Sequence, residues 1–137
     1  MSQPPDALFT PQVRLAGEVN DDMFAGFQEA FREACQGPDP VVVELTTVGG
    51  DADVGRRIAA DVRLFRQHSG RNPLFFGKTV VYSAGATILS GFRREDRWLD
   101  RECVLMIHGR KLAKTIDFSR ALDADEALKR RLVAGVV

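Results

Sequence analysis

Val41-Val42-Val43-Glu44-Leu45 is a short, β-branched run that stops at Thr46-Thr47-Val48-Gly49-Gly50, and beyond it Val54, Ile58, Val62 and Phe65 return at helical spacing. A continuous apolar run of this length, bounded by turn residues, suits an interior parallel strand. The change of period then reads as strand, tight turn, helix. The unit recurs where Leu74 to Tyr82 runs into Ser83-Ala84-Gly85-Ala86 and a small-residue helix to about Phe92. Upstream, a strand from Val13 to Val19 precedes a helix that Asn20 and Asp21 can cap. Met23, Phe24, Phe27, Phe31 and Cys35 give that helix one apolar stripe, and Gly37, Pro38 and Pro40 end it. Downstream, Val104 to Ile107 reads as a further strand leading to His108-Gly109. Ala121 to Val133 reads as a last helix, with Leu122, Leu128 and Leu132 apolar and Asp123 and Glu126 near its positive end. Strands that alternate with helices and cross over each time predict the α/β class, a parallel sheet covered on both faces.

The chain is of one-domain size, 137 residues with 45% hydrophobic and 28% charged. Residues 1–11, with Pro4, Pro5 and Pro11, read as an exposed N-terminal arm without a core of its own, and 12–137 as the domain. Nineteen basic residues balance nineteen acidic ones. Nucleic acid or anionic lipid would call for a basic excess, so neither is an expected partner. No apolar run reaches the roughly 20 residues that cross a bilayer, and no basic-then-apolar leader opens the chain; a cytoplasmic protein is expected. Cys35 and Cys103 lie far apart without CxxC spacing, which predicts buried reduced thiols rather than a disulfide framework or a zinc site.

In an α/β sheet, reactive groups gather where strands end and helices begin. Gly49-Gly50, Ser83 and His108 all fall at such ends. Ser83 stands among small neighbours that let a carbonyl approach, although taken alone a serine opening a helix is more often an N-cap. Val81 occupies the position where the hydrolase GxSxG motif needs glycine. His108 is the candidate base, because His68 sits in the polar run Arg66-Gln67-His68-Ser69-Gly70 that reads as a solvated helix end. The amides of Gly49 or Gly50 and of Ala84 are the candidate oxyanion donors. Neither GxxxxGK[ST] nor GxGxxG is present, which disfavours a phosphate loop.

Taken in order, three segments resemble the Clp protease proteolytic subunit, a serine peptidase of the ClpP/crotonase superfamily. Leu45-Thr46-Thr47-Val48-Gly49-Gly50 is similar to that family's strand and Asn-Ser-Pro-Gly-Gly turn, Ser83-Ala84-Gly85-Ala86 to its Ser-Met-Gly-Ala motif, and Met106-Ile107-His108 to its Met-Ile-His motif. Leu15-Ala16-Gly17-Glu18-Val19 and the helix after it are similar to the first crossover unit, so the resemblance runs from about Val13 to His108 and, more loosely, over the last helix. It implies Ser83 as nucleophile, His108 as base, a polypeptide substrate, no cofactor or metal, a homo-oligomeric ring and an ATP-driven unfoldase as partner. The family's Asn-Ser-Pro is Thr46-Thr47-Val48 here. Its catalytic aspartate, well beyond the histidine, has no matching position; Asp117 and Asp123 are the nearest downstream carboxylates, and neither matches it. The expectation is therefore a ClpP-like domain lacking the family's C-terminal part. Two alternatives stand beside the peptidase. One is a catalytically impaired structural subunit of a Clp-like ring. The other is a crotonase-like acyl-CoA enzyme, whose Gly-Gly-Asp turn is similar to Gly49-Gly50-Asp51, although such chemistry does not need Ser83 paired with His108.

Overall fold

The computed structural model describes residues 3–107 and 121–137. Strand β1 (Val13–Ala16) leads to helix α1 (Asp21–Gln36), then β2 (Val42–Thr47), α2 (Ala52–Ser69), β3 (Leu74–Tyr82) and α3 (Ala84–Leu89). Among the described residues, only short elements come after α3: β4 (Arg97–Leu99), β5 (Val104–Met106), β6 (Ala121–Asp123) with α4 (Ala124–Lys129), and β7 (Gly135–Val136). Asn20 caps α1 as its side chain predicts, accepting the Met23 N–H at 2.9 Å. The strand order β1-β2-β3-β4-β7 is parallel throughout, and β5 joins the far end of β3.

Side chains alternate between the sheet's two faces. Val13, Leu15, Val43, Leu45, Phe75 and Leu99 lie beneath the helices in the main core, with Met23, Phe27, Phe31, Val54, Ile58 and Val62. Phe27 stacks on Phe31, and Phe31 meets Phe65 edge-on at 5.4 Å, which locks α1 to α2. Val42, Leu74, Phe76 and Trp98 point to the opposite face and form a smaller cluster with Leu8. The N-terminal segment, read from sequence as an exposed arm, is therefore docked at one point. Asp6–Phe9 forms a 3-10 turn in which Leu8 is 1% exposed while Phe9 is 62% exposed. Its anchor is the apolar area of Leu8 with Ala7 beside it, too short a stretch for any periodicity to reveal.

Three further expectations are corrected. The sheet is not wholly parallel, since β6 runs antiparallel to β5 with Leu105 opposite Leu122. The last helix is shorter than Ala121 to Val133, because the Asp123 carboxylate accepts the Glu126 N–H at 2.8 Å and starts the helix there. The first strand ends at Ala16, and Val19 makes an isolated bridge to Gly50 instead.

β3 carries the feature that positions the site. Its first part pairs with β4 through Phe75–Gly77 and its last part with β5 through Val80–Tyr82. Between them the β2 register jumps from Leu45 opposite Gly77 to Thr47 opposite Val81, a bulge in which Thr79 takes φ 61°. The Thr46 hydroxyl donates to the Lys78 carbonyl at 3.0 Å and so satisfies a group that the bulge frees from the ladder. Beyond the bulge, β3 delivers Tyr82 and Ser83 beside the ends of β2 and β5.

Candidate active site

Ser83 occupies the turn between β3 and α3 with φ 55° and ψ −109°, a conformation L-residues avoid at a cost of about 1–3 kcal/mol. Its backbone is tied on both sides: the N–H donates to Met106 O at 2.9 Å, and the carbonyl accepts from Ala86 at 2.9 Å and Thr87 at 3.3 Å. The side chain makes no capping bond. Ser83 thus stands at a helix start without acting as an N-cap, and its hydroxyl is left uncommitted to the helix. Although GxSxG is absent, the backbone makes the sharp strand-to-helix turn that such motifs serve.

Glycines clear the space around that turn. A Cβ at Gly49 would stand 3.0 Å from Ser83 Cβ and 3.6 Å from its Oγ, so the β2 turn lies directly against the serine. A Cβ at Gly85 would meet Thr47 Cγ2 at 2.5 Å, and one at Gly55 would meet Ala84 O at 2.9 Å. Gly50 has φ 146°, and a Cβ there would lie 2.3 Å from Val19 O. The β2 turn is itself held down: Val19 N–H donates to Gly49 O at 2.9 Å and Asp51 N–H to Val19 O at 2.8 Å. Thr47, 2% exposed, accepts the Gly49 N–H at 3.0 Å through Oγ1 and donates back to Gly49 O at 3.4 Å. Among the described residues, the Gly50 and Ala84 amides donate to no other group. Asp51 is engaged as the cap of α2, accepting from Asp53 and Val54.

Of the residues singled out in the sequence, Ser83, Gly49, Gly50 and Ala84 therefore converge where β2 and β3 end. His108 and Asp117 lie outside the described residues. The backbone bond from Ser83 to Met106 O ends two positions before His108 in sequence. Asp123 caps α4 through its carboxylate, and His68 is exposed in the last turn of α2. Gly55 and Thr47 are the site-shaping residues that sequence reasoning did not single out for this role. The signal for Gly55 was a glycine inside an otherwise regular helical pattern, which often marks close packing.

Among the described residues, two groups whose ionisation burial shifts lie away from this turn. The carboxyl of Asp61 is raised by burial, but its cleft is lined by Phe27, Gln28, Phe31, Arg32 and Leu64, between α1 and α2. Cys103, 0% exposed, is pushed up to about 12 by burial and then by Asp100, which makes it an inert thiol. Among the described residues, no helix is long and apolar enough to cross a membrane.

No family model and no curated protein sequence matches the chain. Solved structures do. A single-residue variant of ClpP1 from Listeria monocytogenes superposes with a TM-score of 0.79 at 18% identity, over 95% of this chain and 92% of that one. ClpP1 from the same organism gives 0.77 at 20% identity, over 91% and 89%. The ClpP protease catalytic domain from Plasmodium falciparum gives 0.74 at 17% identity, over 91% and 83%. At such identities the likeness speaks for architecture. Together with the mostly parallel sheet and its flanking helices, it establishes that the chain has a ClpP-like fold.

Proposed function

We propose that the protein is a serine-type peptidase of the Clp proteolytic kind. Ser83 Oγ attacks the scissile carbonyl while His108 takes the hydroxyl proton. The carbonyl oxygen becomes an oxyanion that receives N–H bonds from Ala84 and the Gly49–Gly50 turn. His108 then passes its proton to the leaving amine, and water releases the acyl group from Ser83 by the same route in reverse. The observation that carries this reading is the strained turn at Ser83: its hydroxyl takes no part in capping, and Gly49 is packed against it. Strain held in a turn at a strand end is what presenting a nucleophile requires, and an ordinary N-cap serine has no use for it. A homo-oligomeric ring and an ATP-driven unfoldase belong to the same proposal and stem from the resemblance, and the cytoplasmic setting expected from the sequence goes with them.

A fluorophosphonate probe tests the reading. It should label the wild type and leave Ser83→Ala and His108→Ala unlabelled or at least 100-fold slower, since a nucleophilic serine without its base loses most of its reactivity. Equal labelling of wild type and Ser83→Ala removes Ser83 from the mechanism. Absence of labelling in a protein that light scattering shows to be assembled favours a structural ring subunit instead.

A further inference from the structure

We propose that Thr47 is a positioning residue for the oxyanion site. Its hydroxyl holds the Gly49–Gly50 peptide so that the Gly50 N–H, rather than that of Gly49, meets the carbonyl oxygen of a substrate at Ser83. The inference rests on the peptidase reading of Ser83.

Gly49 C=O and Gly50 N–H belong to one trans peptide unit and point in opposite directions. Gly49 O is held chiefly by the Val19 N–H at 2.9 Å, with the Thr47 hydroxyl as a longer second donor at 3.4 Å. Fixing that oxygen fixes the direction of the Gly50 N–H, which among the described residues has no partner. The Gly49 N–H, by contrast, is already spent on Thr47 Oγ1 at 3.0 Å. A donor committed to a buried neighbour is a poor receiver of an oxyanion, whereas a free donor on a clamped peptide is pre-oriented for one.

Thr47 also reaches the other half of the site. Its Cγ2 lies where a Cβ on Gly85 would come within 2.5 Å, so its methyl sits beneath the helical turn that begins with Ala84. One side chain, 2% exposed, therefore has its hydroxyl on one donor-bearing turn and its methyl under the other. Threonine is stiff at χ1, which keeps the two contacts in a fixed relation. Valine keeps the shape and the methyl contact but loses the hydroxyl. Serine does the reverse.

The test compares wild type, Thr47→Val and Thr47→Ser by two independent readouts. One is hydrogen exchange at the Gly49 amide, read by NMR; the other is the fluorophosphonate labelling rate, supported by kcat and KM on a peptide substrate. Expected is a Gly49 amide protected in wild type and Thr47→Ser and at least 10-fold less protected in Thr47→Val. Labelling and kcat should fall about 10- to 100-fold in Thr47→Val with KM unchanged, and return to within about threefold of wild type in Thr47→Ser. An unprotected Gly49 amide in wild type overturns the clamp whether or not the protein is active. If wild type labels and Thr47→Val labels as fast or faster, the positioning role is overturned while the peptidase reading stands; a faster reaction would mean that the hydroxyl competes with substrate for the Gly49 amide. If Thr47→Ser is as slow as Thr47→Val, the methyl contact and not the hydroxyl sets the rate, and the proposal fails. If wild type does not label, the peptidase reading fails and the exchange data alone decide the clamp.

Discussion

Ser83 keeps a backbone geometry that glycine would adopt more easily, and its neighbours compensate by fixing the peptide on either side. The strain has a measurable consequence. At an ordinary helix N-cap glycine is already tolerated better than alanine, and at φ 55° the crowding of the alanine Cβ widens that gap. Ser83→Gly is therefore expected to be more stable than Ser83→Ala by about 2 kcal/mol in urea unfolding, although both lose the nucleophile; a gap no larger than the roughly 1 kcal/mol of an ordinary N-cap would show that the turn is unstrained. Much at this scale was legible in the sequence. A serine and two glycines stood out because they fall at the strand ends where an α/β sheet gathers reactive groups. What could not be read was that Thr47 spends its hydroxyl on Gly49, because that choice depends on a turn whose shape is set by Val19 from the segment beyond β1.

Elements with their own capping and periodicity match the sequence closely. α1 begins at its Asn20 cap, and β3 spans Leu74–Tyr82 as the apolar run does. Elements defined by partners do not. β4 and β7 have three and two residues, too few for any period, and become strands only by pairing in register with β3 and with each other. The bulge in β3 is invisible for the same reason: it is defined by the register against β2, at the point where β3 passes from β4 to β5. The end of α4, in contrast, is decided locally. Leu132 N–H returns to Ala127 O at 3.0 Å and Arg131 N–H to Leu128 O at 3.0 Å, a Schellman closure in which Arg131 takes φ 59° where glycine is usual. Relieving that conformation, Arg131→Gly is expected to raise stability by about 1 kcal/mol, visible as a higher urea midpoint at unchanged slope; a lower midpoint would mean that the arginine side chain contributes more than its backbone costs.

For the molecule as a whole, two clusters of unequal size hold the sheet: a main core under the helices and a small one on the far face, closed by Leu8. Leu8 connects a segment read as a free arm to β2, β3 and β4, so its loss opens a cavity on the sheet rather than trimming a tail. Leu8→Ala is expected to cost about 2–5 kcal/mol, whereas Phe9→Ala, at an exposed position, should stay within about 0.5 kcal/mol; equal and small effects would return the segment to the status of an arm. The overall class was readable from alternation alone, since strand, turn and helix repeat in one order. The antiparallel return of β6 onto β5 was not, because Ala121-Leu122-Asp123 is compatible with either helix or strand until Asp123 is seen to cap α4. All these layers serve one arrangement, in which the ends of β2 and β3 bring a serine hydroxyl against a glycine turn.

A crystal structure of the protein after reaction with a fluorophosphonate measures that arrangement directly. The expected adduct has phosphorus bonded to Ser83 Oγ, with the phosphoryl oxygen about 2.7–3.1 Å from the amides of Ala84 and Gly50. An unmodified Ser83, or an adduct whose oxygen turns away from both amides, would contradict it.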